Sequence, residues 1–353
     1  MNNRTKFLGG SAFATSGGIQ TYNRTLLDAL HRNSLLQSGF LTNETITDFP
    51  ELLKELLSGG SGNKRSLLNW ALRNTLKSSD LILTDHLNYS PILLGSFRAQ
   101  IKVVTLHAYE MEIPVSRIRM AALKRMDAYI CVSEYSKRLA MKLGLLENKM
   151  HVCHHGIDVE VAETKPSMQL NEVPVILFVG RLDRHYKGHD HLVEAATLLC
   201  ERRVKFKMIF AGGGKRLEEF RRMVVAKQLQ HHVEFRGFVS DAELKCLYSE
   251  ADIFALPSSG EGFGLVYLEA MAHSLPCLAV NAGAAPEVVI NNQTGVCVEY
   301  GDIPAIAGAL ERLVSDADWR MELGEKGRCR YDTNFTVAAF EARLLKLLNK
   351  LNR

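Results

Sequence analysis

No apolar run in the 353-residue sequence approaches the roughly 18–20 residues that crossing a bilayer requires, which argues against a membrane-spanning protein. The opening Met-Asn-Asn-Arg-Thr-Lys-Phe-Leu-Gly-Gly lacks the apolar core of a secretory signal, so a cytoplasmic location is expected. No C-x-x-C pair occurs among the seven cysteines (131, 153, 200, 246, 277, 297, 329), and their number is odd. That excludes a disulfide framework or a zinc ribbon and leaves reduced thiols, of which Cys131, Cys153, Cys277 and Cys297 sit in strand-like runs as small core residues. Charge of one sign is also missing: 43 Lys and Arg face 39 Asp and Glu, a net of +4. The excess is confined to residues 1–165, with 20 basic against 15 acidic side chains, and is too small and dispersed for nucleic acid. A full dinucleotide fingerprint is absent too, because Gly212-Gly-Gly214 is only a partial G-x-G loop with no acidic residue placed for a ribose. His185, His189 and His191 have no fourth ligand nearby, and Asp316-Ala-Asp318 lies between helices beside Trp319, where capping explains it. No metal site is expected.

What is present is two rounds of strand, turn and helix. The chain is too long for one comfortable core, and 46% hydrophobic with 23% charged residues describes a soluble globular protein of two domains. In the first half, Lys6–Leu8 is a short polar strand leading into a loop rich in glycine (Gly9, Gly10, Gly17, Gly18), then a helix with Tyr22, Leu26, Leu27 and Leu30 at apolar spacing. Residues 80–84, 101–106 and 127–132 read as further parallel strands, each running into a polar turn. His107 follows the second of these, where a parallel strand delivers residues to a cleft, although a lone His is more often structural. Ser133 reads as a helix N-cap. Ile118, Ala121, Ala122 and Arg125 share one face of a basic helix, whose plainer reading is a solvated surface. The pattern breaks at 161–173, where the domain linker is placed.

The second half restarts with Pro174-Val-Ile-Leu-Phe-Val-Gly180, an all-apolar run typical of a buried parallel strand. Arg181 and Lys187 occupy its exit loop, two cations of the kind needed to grip a diphosphate and neutralise it as a leaving group. The organising stretch is Pro257–Ala272, preceded by the apolar run Asp252–Leu256. Glycines 260, 262 and 264 let the backbone approach a ligand, and the helix that follows offers free N–H groups to an anion. Glu261 lies in the loop and Glu269 in the helix among apolar neighbours, where a carboxylate needs donors such as a sugar or ribose diol.

The segment Ser-Gly-Glu-Gly-Phe-Gly-Leu-Val-Tyr-Leu-Glu-Ala-Met-Ala resembles the E-x7-E signature of the retaining, nucleotide-sugar-dependent glycosyltransferases of family 4, which have the GT-B architecture. Gly-Gly-Ile-Gln-x-Tyr-x-Arg at 17–24, Gly188-His-Asp and the Ala-Pro-Glu turn ending at Glu287 are similar to further family motifs, with His155, His273 and Ala284 as departures. The resemblance implies an α/β fold of two Rossmann-like parallel-sheet domains facing across a cleft. Residues 1–160 would bind the acceptor, 174–335 the nucleotide sugar, and 336–353 would return as a helix toward the first domain. By match to the motifs, Arg181 and Lys187 would clamp the diphosphate with the backbone of Gly262, Phe263, Gly264 and Leu265. Glu261 would hold the sugar, His107 would contact it near the reacting carbon, and Glu269 would hold the ribose. Gly17, Gly18, Gly180, Gly213 and Phe238 would line the rest of the donor site.

The function implied is retaining, metal-independent transfer of a hexose from a nucleotide-diphosphate sugar to a hydroxyl of a glycan, glycolipid or small polyol. Donors of the GDP-mannose, UDP-glucose and UDP-N-acetylglucosamine types all remain open. No cofactor is expected, nucleic acid is not a partner, and the basic N-terminal half leaves peripheral contact with the inner face of a membrane open. The alternatives are a sugar-nucleotide epimerase of the same fold and a non-catalytic nucleotide-sugar-binding protein. An epimerase would require acid–base carboxylates that are not identifiable, and a binding module is disfavoured by the joint presence of His107, Lys187 and Glu261.

Overall fold

The computed structural model describes residues 4–10, 12, 17–42, 61–62, 79–95, 99–161, 171–183 and 185–352. Most of the expected linker at 161–173 and part of the first glycine loop lie outside those residues. The chain divides into two compact units, Met1–Ile157 with Thr336–Arg353, and Asp158–Phe335.

The first unit is built on a parallel sheet of β1 (Thr5–Gly9), β2 (Leu36–Thr42), β3 (Ser61–Gly62), β4 (Ser79–Thr84), β5 (Ala99–Leu106), β6 (Ala128–Cys131) and β7 (Met150–Val152), in the order β3-β2-β1-β4-β5-β6-β7. Apolar runs buried on both faces suit a parallel sheet covered by helices, and Ile82, Leu83, Val103, Val104 and Ile130 are fully enclosed. β1 is buried along its whole length, Lys6 included, because it lies mid-sheet between β2 and β4. The polarity of its sequence disguises a central strand. The helix Gly18–Arg32 buries Tyr22, Leu26, Leu27 and Leu30, as the spacing predicts. The closing helix Val337–Leu351 belongs to this unit: Phe340 packs edge-on against Tyr22 and His155, with ring centroids 5.9 and 5.2 Å apart, and Arg343 donates to the His154 carbonyl at 2.9 Å.

The basic helix keeps most of the solvated face expected of it, Ala122 excepted. In the helix Arg117–Leu123 the buried side is Ala122 and Leu123, continuing to Met126, while Ile118 is 74% exposed. A helix this short is oriented by whichever two or three side chains reach the core, and here the longer Leu123 and Met126 do so.

The second unit is a parallel sheet of β8 (Val175–Val179), β9 (Lys207–Ala211), β10 (Val233–Gly237), β11 (Ile253–Ala255), β12 (Cys277–Val280) and β13 (Gly295–Val298), in the order β10-β9-β8-β11-β12-β13. Cys131, Cys153, Cys277 and Cys297 are buried and unbridged, as the apolar runs around them require. Asp316 accepts from the Trp319 N–H at 3.0 Å and caps the Ala317–Asn334 helix. Asp316→Ala is expected to lower stability by about 1 kcal/mol, read as a small drop in melting temperature without change in nucleotide affinity.

Both sheets have a topological switch point, between β1 and β4 in the first and between β8 and β11 in the second. Chain connections leave in opposite directions there, which opens a crevice at the carboxyl ends of the two strands. No helix among the described residues is long and apolar enough to cross a membrane.

Candidate functional site

In the second unit the exit loops of β8 and β11 meet at the switch point. Gly180 donates its N–H to the Ala211 carbonyl at 3.0 Å and Leu182 donates to the Gly213 carbonyl at 2.9 Å, which ties the β8 exit to the β9 exit. The loop then turns through Tyr186 and Lys187 to Gly188, whose φ is +70°. A Cβ at Gly188 would stand 2.2 Å from the Pro257 carbonyl oxygen, so only glycine lets this loop lie against the β11 exit. Ser259 N–H, donating to the Tyr186 carbonyl at 2.9 Å, closes the seam. Lys187 Nζ is thereby brought 2.5 Å from Glu261 Oε1, with side chains 17% and 11% exposed. From the third side, Ala284 N–H donates to the Glu261 main-chain carbonyl at 2.9 Å, tying the backbone of Glu261 to the turn after β12.

The helix Leu265–Ala272 starts at Gly264, with φ +92° and no side chain capping it; Tyr267 N–H turns back to the Gly264 carbonyl at 3.0 Å, and the positive end of the helix is the kind of place that suits an anion. Tyr267 anchors the helix by donating to the Leu256 carbonyl at 2.6 Å, and Phe263 packs edge-on against Phe335. Gly262 lies between Glu261 and Phe263 in the same turn. Farther along, Glu269 is half-buried. Burial raises its pKa to about 7, partly offset by the Tyr248 hydroxyl, which donates to Oε2 at 2.7 Å.

Two expected residues are exposed, with partners other than Lys187 and Glu261. Arg181 is 73% exposed on its side chain and pairs with Asp183 at 2.6 Å. Phe238 is 86% exposed, beside Gly213, where Gly212 N–H donates to the Gly237 carbonyl at 2.7 Å. The three histidines after β8 have separate neighbours. His185 Nδ1 meets Arg216 at 2.9 Å, His189 is buried edge-on to Phe220 at 4.3 Å, and His191 is edge-on to Tyr300 at 4.8 Å. Burial lowers the His189 pKa to about 4, which suits a neutral core ring.

In the first unit, Gly17 precedes the Gly18–Arg32 helix and accepts the Thr21 N–H at 2.9 Å. His107 stands at the exit of β5 with Nε2 2.9 Å from the Asp85 carbonyl. A carbonyl only accepts, so Nε2 carries the proton and Nδ1 is left as an acceptor. Burial lowers the His107 pKa to about 4, and the ring is neutral at pH 7.

Three neighbours of His107 escaped the sequence reading. Asp85 Oδ2 accepts from Gly10 N–H at 3.0 Å and from Asn23 at 2.5 Å, tying the glycine loop and the first helix to the β4 exit. Its pKa is raised by burial. Glu110 is buried and accepts the His107 main-chain N–H at 3.0 Å, while its Oε2 lies 2.6 Å from His86 Nε2. The sequence signal was the Asp-His pair directly after Leu-Ile-Leu-Thr, a strand exit of the same kind as that before His107. Among the described residues no group of three or more His, Cys, Asp or Glu is placed to hold a metal ion.

Comparison with known proteins gives the same architecture. Residues 162–330 match the family described as glycosyl transferases group 1, and residues 16–161 match glycosyltransferase family 4. The chain is 30% identical over 264 residues, 68% of each chain, to the GDP-mannose-dependent alpha-(1-6)-phosphatidylinositol monomannoside mannosyltransferase of Mycobacterium tuberculosis. It is 34% identical over 176 residues to the D-inositol 3-phosphate glycosyltransferase of Corynebacterium diphtheriae, covering 48% of this chain and 41% of that one. Among solved structures, Anabaena HepE in complex with UDP superposes with a TM-score of 0.81 at 19% identity, covering 98% of this chain and 100% of that one. Sucrose-phosphate synthase of Thermosynechococcus elongatus superposes at 0.78 with 21% identity, covering 99% of each. Likeness at these identities is a likeness of fold.

Proposed function

The chain belongs to the family 4 glycosyltransferases of the GT-B fold, and from that membership we propose that it is a retaining, metal-independent hexosyltransferase. Its donor is a nucleotide-diphosphate sugar, and its acceptor is a hydroxyl of a glycan, glycolipid or small polyol. The observation that carries this proposal is the Lys187–Glu261 contact beside an uncapped helix N-terminus at the second sheet's switch point. A cation, a helix N-terminus and a carboxylate held together suit a sugar linked to a diphosphate better than any one of them alone.

Each side chain then has a role. Lys187 and the N–H groups of Phe263–Leu265 hold the diphosphate, and Arg181 swings from Asp183 to join them. Glu261 accepts from the hydroxyls of the sugar, and Glu269 accepts from the ribose diol. Phe238, exposed beside Gly213, stacks on the base, with Gly180 at the strand exit giving room. His107, neutral with its Nδ1 lone pair free to accept, contacts the donor sugar, and Gly17 and Gly18 contribute to the donor site at the start of the Gly18–Arg32 helix. In the transfer, the C1–O bond to the phosphate breaks and a C1–O bond to the acceptor forms on the same face. The acceptor's proton passes to the departing phosphate oxygen, so no enzyme nucleophile is used. The charge that develops on that phosphate is met by Lys187 and Arg181.

GDP-mannose is the first donor to test, because the mycobacterial relative is named for it, with the UDP-hexoses next. Peripheral membrane contact is the reading supported by exposed Ile113 and Ile118 in the segment that also carries Arg117, Lys124 and Arg125. Proton NMR of the product formed in EDTA tests the chemistry. The donor's anomeric configuration is expected to be kept at an unchanged rate, and an inverted product or a reaction abolished by EDTA would contradict the proposal.

A further inference from the structure

Glu269 is set into its helix by a device that spans two helices. The Tyr248 hydroxyl, on the helix Asp241–Glu250, donates to Glu269 Oε2 at 2.7 Å, with the Val266 carbonyl as a longer second neighbour at 3.5 Å. The Tyr248 ring is 3% exposed and lies nearly parallel to His273, with centroids 5.3 Å apart and 16° between planes. His273 sits one turn beyond Glu269, and its Nδ1–H donates to the Glu269 carbonyl at 2.8 Å. The ring that stacks on Tyr248 is therefore fixed to the same helix turn as the carboxylate that Tyr248 holds. This His is one of the places where the sequence departs from its family's usual small residue.

We propose that Tyr248, backed by His273, is a positioning residue that aims Glu269 at a ribose diol and so sets a preference for ribonucleotides over deoxyribonucleotides. The inference rests on the donor-site role proposed for Glu269. A carboxylate on a flexible side chain turns broadly about its last torsion. With Oε2 held by Tyr248, that torsion is fixed, and Oε1 keeps its lone pairs for the diol, where no side chain or main-chain group of the described residues engages it.

The hydroxyls of the diol donate, so the ionised carboxylate is the binding form. Burial works against that form and the Tyr248 hydroxyl works for it, with Asp241 at the head of the facing helix adding to the burial effect. His273 is held neutral by burial, with Arg328 and Lys245 on neighbouring helices acting in the same direction. The ribose preference therefore grows as pH rises through about 7. Removal of the tyrosine hydroxyl displaces that rise upward by about one pH unit.

The test is calorimetric titration of the full chain with UDP, GDP and their 2′-deoxy counterparts between pH 6 and 8.5. The unmodified protein is expected to favour ribose by about tenfold or more at pH 7.5, the scale of a hydrogen bond to a charged group. Tyr248→Phe keeps the ring and is expected to reduce the preference to about threefold or less, with deoxynucleotide affinity unchanged and partial recovery at pH 8.5. His273→Leu keeps bulk against the ring and should shift the profile the same way by less, so the idea remains testable if Tyr248→Phe folds poorly. Retention of the unmodified preference and pH profile in both variants would overturn the proposal. So would an unmodified protein that binds nucleotides with no ribose preference, whereas one that binds no nucleotide at all would overturn the donor-site assignment and this inference with it.

Discussion

Glu261→Ala and Lys187→Ala should each lower kcat/KM for donor turnover by about a hundred- to a thousandfold, the scale of one lost electrostatic contact to a transition state. The two variants should also share a structural cost. Glu261 is 9% exposed and Lys187 Nζ lies 2.5 Å away, so removing either partner strands the other charge in a nearly closed site. An exposed ion pair contributes little when broken, whereas a stranded buried group costs about 1–3 kcal/mol. The double variant should be less unstable than the sum of the singles, because neither charge is then left alone. Its activity should still be lost, since the contribution to stability is repaired and the contact with substrate is not. Thermal melts beside steady-state kinetics on all three variants separate the two effects.

Gly188→Ala should lower stability by about 2–4 kcal/mol, through strain at positive φ and overpacking. The added Cβ would lie 2.2 Å from the Pro257 carbonyl, and neither strand exit can yield cheaply, because Ser259 and Tyr186 are hydrogen-bonded across the same seam. Relief requires the loop carrying Lys187 to move away from the loop carrying Glu261. Nucleotide affinity should therefore fall along with the melting temperature. Gly144→Ala supplies the control: its φ is +78°, yet a Cβ there meets nothing within 4 Å, so only the backbone cost of about 1 kcal/mol should appear and nucleotide affinity should hold. Equal melting shifts in the two variants would contradict the close approach as the reason for glycine at 188.

How much of this was legible beforehand depends on how local the signal was. β8 and β11 are continuous apolar runs, and their exits carry glycine, cations and carboxylates within a few residues, so both strand ends stand out in sequence. Lys187 and Glu261 are each visible in this way, but 74 positions separate them, and their contact follows from β8 lying next to β11, which is a property of sheet order. β2 was missed because Gln37, Ser38 and Gly39 interrupt its apolar pattern, although it pairs with β1 along most of its length. Asp85, His86 and Glu110 carry no spacing signal either. They act as a group because β4 and β5 are neighbours whose exits turn the same way. Tyr248 is the extreme case: nothing local distinguishes it from any helix tyrosine, and only the packing of two helices sets its hydroxyl on Glu269. The basic helix was legible in part: Ile118, Ala121 and Arg125 are exposed as a solvated face requires, while seven residues give too few turns for periodicity to place Ala122 on the buried side.

The most direct measurement is slow donor hydrolysis by the full chain without acceptor, across GDP-mannose, UDP-glucose, UDP-N-acetylglucosamine and UDP-galactose, with Glu261→Ala and Lys187→Ala alongside. One donor class turned over, with turnover lost in both variants, is the predicted result. No hydrolysis of any donor together with no binding of UDP or GDP would contradict a nucleotide-sugar site at the β8 and β11 exits.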